Sequence, residues 1–361
     1  MSKIISIGTA VPAHRTKQDA ILEFMHAAYN NDVASRKLNA LFHHSGIDTR
    51  YSVIPDFDKQ RKQHIFFNGT PSKANVENRL DVFKEQAVPL ALEAIHTAYK
   101  NIDSTIKEFG VTHLITVTCT GLSAPGIDAG LIEQLDLPND IYRTSVNFLG
   151  CNAAFHGLKI ADMICKTDAS AKVLVVCVEL CTLHFQPKDN HDNLLSNTIF
   201  GDGAAAVIVT PKASEQKGLT MEGFYSTLLD KGKKLMGWDI TPMNFEMILD
   251  AKIPEFIGEE VNNIVKKATE KYSISVNDID QWAIHPGGKK IVDTIKKQLE
   301  LSEEDTAPSY KVLNEYGNMS SPTILFVLSG LFQQQYKKGD SVFSIGFGPG
   351  LSIETALFSY E

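Results

Sequence analysis

The chain has 361 residues, 43% of them hydrophobic and 22% charged, which allows one large core or two medium ones and excludes a globally disordered chain. With 35 basic against 43 acidic residues the formal charge is −8, the wrong sign for a protein built to grip nucleic acid. No run of 18 apolar residues occurs, so no membrane span is expected, and five cysteines without a CxxC pair suit reduced thiols in a cytoplasmic protein rather than a disulfide frame.

In chain order, KIISIG near the start reads as a strand; Gly8 and Pro12 break its apolar run too early for a signal peptide. The polar stretch 56–78 reads as a surface excursion, followed by a helix over 79–100. Strands are predicted at 113–120, 172–179 and 204–210, with a helix over 151–165 between the first two. A helix over 255–271, a strand at 281–285, helices over 289–299 and 319–335 and a strand at 341–347 complete the pattern. Short β-branched runs alternating with amphipathic stretches indicate α/β architecture.

An internal repeat organises these elements. NFLGC, ending at Cys151, resembles NEYGN, ending at Asn318, at an offset of 167 residues. The strand end at Cys119 matches the strand end at His285, at an offset of 166. FGDGAAAVIV from Phe200 matches FGPGLSIETALF from Phe347, the shorter offset of 147 implying an insertion after Glu179 in the first copy. Three landmarks in one order predict two similar halves, residues 1–215 and 216–361, packed as a pseudo-dimer.

The repeat also brings chemistry together. Cys151 opens a helix after Gly150, and a helix N-terminus lowers a thiol pKa. A buried, inert core cysteine is the competing reading. His285 ends a strand before Pro286-Gly287-Gly288, where α/β folds present site residues. Asn318 occupies the position equivalent to Cys151; by itself it could simply cap a helix. Converging, the three suit thioester chemistry: a thiolate nucleophile, with an imidazole and an amide donating to a developing oxyanion.

IISIGTAVP, the GC turn, KVLVVCVEL, FGDGAAAVIV, IHPGG, EYGNMSSPT and GFGPGLSIE, in this order, resemble the type III polyketide synthases, the group that includes plant chalcone synthase. The resemblance implies the thiolase fold, five layers αβαβα from two similar halves, and a homodimer. It implies acyl transfer from a starter acyl-coenzyme A to Cys151, then iterative decarboxylative condensation with malonyl-coenzyme A. Cyclisation to a pyrone or aromatic polyketide follows, without carrier protein, metal or further cofactor. Cys151, His285 and Asn318 fall on the catalytic residues and Phe200 on the gatekeeper phenylalanine. Gly346, Phe347, Gly348, Pro349 and Gly350 fall on the cyclisation-pocket loop.

Departures concern substrate choice. Met247 aligns with a second gatekeeper phenylalanine, Cys119 and Thr120 with Thr and Ser, His184 with a pocket threonine, and Ala124 with a methionine that reaches across the dimer. These changes resemble bacterial members. Arg36, Lys37, Arg50 and Lys290 are the candidates for gripping coenzyme A. An initiating β-ketoacyl-carrier-protein synthase shares the catalytic set, but its histidine motif usually reads HQAN where this chain has HPGG.

Overall fold

The computed structural model describes residues 1–57, 64–67, 74–214, 216–334 and 336–361. Nine strands share one sheet: β1 (Ser2–Ala10), β2 (His113–Thr118), β3 (Tyr142–Asn147), β4 (Val173–Leu180), β5 (Asp202–Pro211), β6 (Leu219–Leu228), β7 (Gln281–Ile284), β8 (Ser341–Gly348) and β9 (Ser352–Tyr360). Across the sheet the order is β7-β8-β9-β6-β1-β5-β4-β2-β3. The order β1-β5-β4-β2 is repeated by β6-β9-β8-β7, each with antiparallel, antiparallel and parallel pairs in succession. β1 and β6 meet antiparallel through Ser2–Met221, Lys3–Thr220 and Ile4–Leu219, so the pseudo-twofold passes between them. Residue 215, at the predicted boundary of the halves, lies outside the described residues.

Side-chain alternation explains the layers. Along β4, Leu174, Val176, Val178 and Leu180 enter one core, while Val173, Val175 and Cys177 enter another. The five main helices are α1 (Val76–Lys100), α2 (Ala153–Thr167), α3 (Ile253–Lys271), α4 (Lys289–Gln298) and α5 (Thr323–Phe332). α1 covers the outer face of β1, β5 and β4. α2 and α5 each touch strands of both half-sheets, while α3 and α4 pack together beyond the second half. The strands therefore wrap a central helical layer, giving five layers, αβαβα. The central core draws Ile4, Ile115 and Val207 from one half-sheet and Val342, Ala356 and Phe358 from the other.

The predicted strands coincide with β1, β2, β4, β5, β7 and β8, and the predicted helices with α1 to α5. β3 escaped notice because YRTSVN is polar and mostly exposed on a sheet edge. Within the stretch 56–78, Asp56, Phe57 and Phe67 depart from the predicted surface position, while Ile65, Glu77 and Asn78 are exposed as predicted. Asp56 is fully buried and its carboxylate accepts the backbone N–H groups of Ile65, Phe66 and Phe67 at 3.0, 2.7 and 2.7 Å. That nest lets the chain bury Phe57 and Phe67 against Phe185 and Phe24. Residues 58–63 and 68–73 of the stretch lie outside the described residues. Among the described residues no helix is long and apolar enough to cross a membrane.

β1 and α1 approach to backbone contact at Gly8, where an added Cβ would sit 2.2 Å from the Ala94 carbonyl oxygen and the Ala98 nitrogen. Backbone cannot step aside as a side chain can. Gly8→Ala is expected to destabilise the fold by about 1–3 kcal/mol, as overpacking generally does, measured as a lower chemical-denaturation midpoint.

Candidate active site

Both copies of the repeat turn the chain with a glycine in the left-handed region, Gly150 at φ 71° and Gly317 at φ 70°. After Gly150 a short 3₁₀ turn, Gly150–Asn152, carries Cys151 into α2. After Gly317 comes Asn318, whose backbone N–H donates to the Ile199 carbonyl at 2.9 Å and whose carbonyl accepts from Gly201 N–H at 3.0 Å. His285 follows β7, its N–H donating to the Ile345 carbonyl at 2.8 Å. Cys151, His285 and Asn318 are 6%, 1% and 2% exposed, so the site is withdrawn from bulk water.

Asn318 links the other two. Its Nδ2 donates to the carbonyl of Gly287, two residues past His285, at 3.2 Å. Its Oδ1 accepts from Ser320 N–H at 2.8 Å, fixing the amide so that nitrogen faces the site. The Ser320 and Asn318 side chains both stand close enough to Cys151 to favour its thiolate. His285 has neither ring nitrogen bonded among the described residues.

Burial controls the electrostatics. It pushes the Cys151 thiol up to about 11, against the opposing effect of Ser320 and Asn318. The lowered thiol pKa expected from the helix end is not found: desolvation of a buried thiolate outweighs a macrodipole worth about 0.3–1 kcal/mol. Burial likewise pushes His285 down to about 3. Burial alone therefore leaves both groups neutral.

A buried carboxylate, Glu179, organises the surrounding loops. It accepts from the Cys119 N–H at 2.9 Å, Thr120 Oγ1 at 2.8 Å and Ser321 Oγ at 2.6 Å. Burial still raises its pKa. Cys119 Sγ lies 3.4 Å from Ser320 Oγ, and its thiol is driven well above the usual range by burial and then by Glu179. Thr120 also accepts, through its carbonyl, the 2.7 Å bond from His184 Nε2. His184 Nδ1 in turn accepts from Phe245 N–H at 3.1 Å, which fixes one neutral tautomer. The ring stacks on Phe245 at 4.4 Å and is held by burial near a pKa of about 3.

The structure brings Phe200, Met247 and His184 together around one cavity of about 30 Å³, with Cys181, Trp238 and Phe245 as further walls. That volume holds little more than a water molecule, so an acyl chain enters only if side chains swing aside. Cys119 and Thr120 are not on its surface. The loop Gly346 to Gly350 is not there either: it packs on the Cys151 turn, with Pro349 Cδ only 2.3 Å from where a Cβ at Gly150 would lie. Cys181, a core cysteine by its sequence position, is buried just past the end of β4 and also forms a wall of this cavity. Of the basic candidates, Arg36, Lys37 and Lys290 are exposed, and Lys37 pairs with Asp189 at 3.0 Å. Arg50 does not face the surface: it is 5% exposed because its guanidinium bonds the interior.

The fold has known counterparts. The family models for the chalcone and stilbene synthases match residues 1–213 with the N-terminal domain and 222–360 with the C-terminal domain. A putative chalcone synthase of Bacillus subtilis is 31% identical, over 100% of this chain and 99% of its own length. The α-pyrone synthesis polyketide synthase-like Pks18 of Mycobacterium tuberculosis is 29% identical, over 98% and 90%. The crystal structure of PKS-I from the brown alga Ectocarpus siliculosus superposes with a TM-score of 0.91 at 29% identity, covering 100% of this chain and 98% of that one. The chain therefore belongs to the chalcone and stilbene synthase family, the type III polyketide synthases. It is a condensing acyltransferase of the thiolase fold.

The two glycine turns aim Cys151 and Asn318. A side chain at either position meets left-handed strain of about 1–2 kcal/mol. It also meets a clash, with Pro349 at Gly150 or with the Ile199 carbonyl oxygen, 2.7 Å away, at Gly317. Gly150→Ala and Gly317→Ala should each lower thermal stability by more than that strain, in a melting experiment that treats the two copies of the repeat alike.

Proposed function

We propose that Cys151 takes an acyl group from a starter acyl-coenzyme A, and that His285 and Asn318 serve the decarboxylative condensation of that group with malonyl-coenzyme A. The observation that carries this is the buried setting of Asn318, whose side chain acts on the Cys151 thiol and bonds the Gly287 carbonyl two residues past His285. In loading, the Cys151 proton passes to His285, the sulfur forms a bond to the thioester carbonyl, and coenzyme A leaves with a proton. In extension, malonyl thioester loses carbon dioxide and the electron pair moves onto its carbonyl oxygen. His285 and Asn318 donate to that enolate, which then attacks the Cys151 thioester and releases the sulfur. Repetition and cyclisation give a pyrone or an aromatic polyketide, a reading supported by relatives such as the α-pyrone enzyme above.

Phe200 and Met247 gate the chain's path in this proposal and His184 walls the cavity between them, while Cys119, Thr120 and the Gly346–Gly350 loop, away from that cavity, bound the path on the side of Cys151. The unbranched Met247 yields more readily than a phenylalanine ring, which favours aliphatic starters. Lys37, Arg36 and Lys290, exposed on the surface, remain in the proposal as partners of coenzyme A phosphates. A division at 215/216 into a cysteine-bearing and a histidine- and asparagine-bearing half belongs to the same reading, as does a cytoplasmic homodimer. The exposed edge strand β3, with Tyr142 71% exposed, is consistent with pairing between subunits. Five free, buried thiols suit a reducing compartment.

Cys151→Ala should abolish the acyl adduct seen by intact-protein mass spectrometry, and all condensation with it. Asn318→Ala should leave that adduct and cut malonyl decarboxylation about 100- to 1000-fold, the usual effect of removing one oxyanion donor. Equal loss of loading and decarboxylation in Asn318→Ala counts against the division of roles.

The Cys151–His285 pair makes a second expectation. Imidazolium favours the thiolate, so wild-type alkylation of Cys151 should have a pH midpoint below about 11, the value that burial sets for the thiol. His285→Ala removes the partner and should move the midpoint upward, toward about 11, in iodoacetamide rate profiles.

A further inference from the structure

Arg50 lies where two backbone segments cross, and it is charged and buried, with no carboxylate bonded to it among the described residues. Its Nη1 donates to the carbonyl of Phe200 at 2.6 Å, and its Nε donates to Gln18 Oε1 at 2.9 Å. Gln18 extends the grip one turn back, its Nε2 donating to the Thr198 carbonyl at 2.8 Å. The stem of Arg50 fills the space beside two glycines. A Cβ at Gly317 would stand 3.0 Å from Arg50 Cγ and Cδ, and one at Gly201 would stand 3.7 Å from Arg50 Cβ. Those glycines adjoin Asn318 and Phe200.

The segments are themselves joined. Phe200 and Asn318 form an isolated parallel β-bridge, through the bonds from Asn318 N–H to the Ile199 carbonyl and from Gly201 N–H to the Asn318 carbonyl. A displacement of the Phe200 backbone therefore cannot leave Asn318 where it was. Burial lowers the guanidinium pKa to about 9, with Asp202 opposing, so Arg50 stays cationic at neutral pH and its bonds stay charge-assisted. A buried cation is costly to desolvate, more than a purely space-filling role demands.

We propose that Arg50 is a positioning residue that sets the gate side chain of Phe200 and the amide of Asn318 as one unit. This rests on the roles given above to Phe200 and Asn318. It assigns Arg50 to the condensation step, through backbone, in place of coenzyme A binding at the surface. Misplacing a catalytic group by an ångström costs on the order of 100-fold in rate. Loss of the guanidinium should therefore lower malonyl decarboxylation strongly and starter loading little, because Cys151 hangs from the other glycine turn.

The test compares Arg50→Ala, Arg50→Lys and Gln18→Ala with Asn318→Ala. Each is read for thermal midpoint, for Cys151 acyl adduct by mass spectrometry, and for kcat and KM of malonyl-coenzyme A decarboxylation. Lysine keeps the charge but not the fork, so Arg50→Lys should be folded, load acyl groups, and lose about 10- to 100-fold in decarboxylation kcat. Its KM should change less than kcat. Gln18→Ala should show the same split more weakly. Millimolar methylguanidinium should restore part of the decarboxylation of Arg50→Ala and none of that of Asn318→Ala. A folded Arg50→Lys with the wild-type ratio of decarboxylation to loading overturns the inference, as does an equal fall of both activities. If Arg50→Ala does not fold, Arg50→Lys and Gln18→Ala decide the matter alone. Wild-type decarboxylation by Asn318→Ala overturns the reading of the site instead, so the two failures are told apart.

Discussion

Three antiparallel residue pairs, Ser2 with Met221, Lys3 with Thr220 and Ile4 with Leu219, join two half-sheets into one. This short seam carries the architecture, because each half-sheet has an inner apolar face that it cannot cover alone. Joined, the two inner faces close on a shared layer of helices, α2 and α5. The turns that lead into those helices carry Cys151 and Asn318, so the seam and the site follow from one symmetry. The His285 strand end arrives from the second half-sheet on the same terms as the Cys119 strand end from the first.

Withdrawal from water is the second consequence. A thiol, an imidazole, a carboxylate and a guanidinium all sit in the interior, and burial shifts each toward its neutral form: Cys151 and Glu179 upward, His285 and Arg50 downward. Hydrogen bonds then differentiate them. Glu179 is surrounded by donors, and Arg50 donates through Nε and Nη1 to interior acceptors, which suits structural charge. His285 has no partner at either ring nitrogen among the described residues, which suits a group that must bond the reacting atoms.

Much of the site was legible because a gene-level duplication leaves a pattern that needs no alignment. NFLGC and NEYGN mark the same turn twice, and φ is 71° at Gly150 and 70° at Gly317. The strand end at Cys119 was visible because HLITVT is a β-branched run, and that at His285 because Pro286-Gly287-Gly288 breaks the short QWAI. Other features left no such mark. The helix N-terminus at Cys151 suggested a lowered pKa, but the opposing desolvation depends on what packs around the sulfur. Arg50 stood among surface candidates because charge in a polar stretch usually lies outside. Asp56 and Phe67 were assigned to a surface excursion for the same reason, yet a carboxylate nest on three backbone N–H groups draws that part of the stretch inward.

The sequence by itself determined the periodic elements, the two-fold repeat and the residue types that converge, since all of these rest on local spacing and on the order of motifs. Only the tertiary structure decided which side chains share a cavity. It gathered Phe200, Met247, His184 and Cys181, but put the Gly346–Gly350 loop under the cysteine turn. It alone also decided the protonation balance of Cys151 and His285 and the inward turn of Arg50. The physical reason is the same for each. Burial and hydrogen-bond partners are properties of the space between distant segments, and that space exists only after the half-sheets have closed.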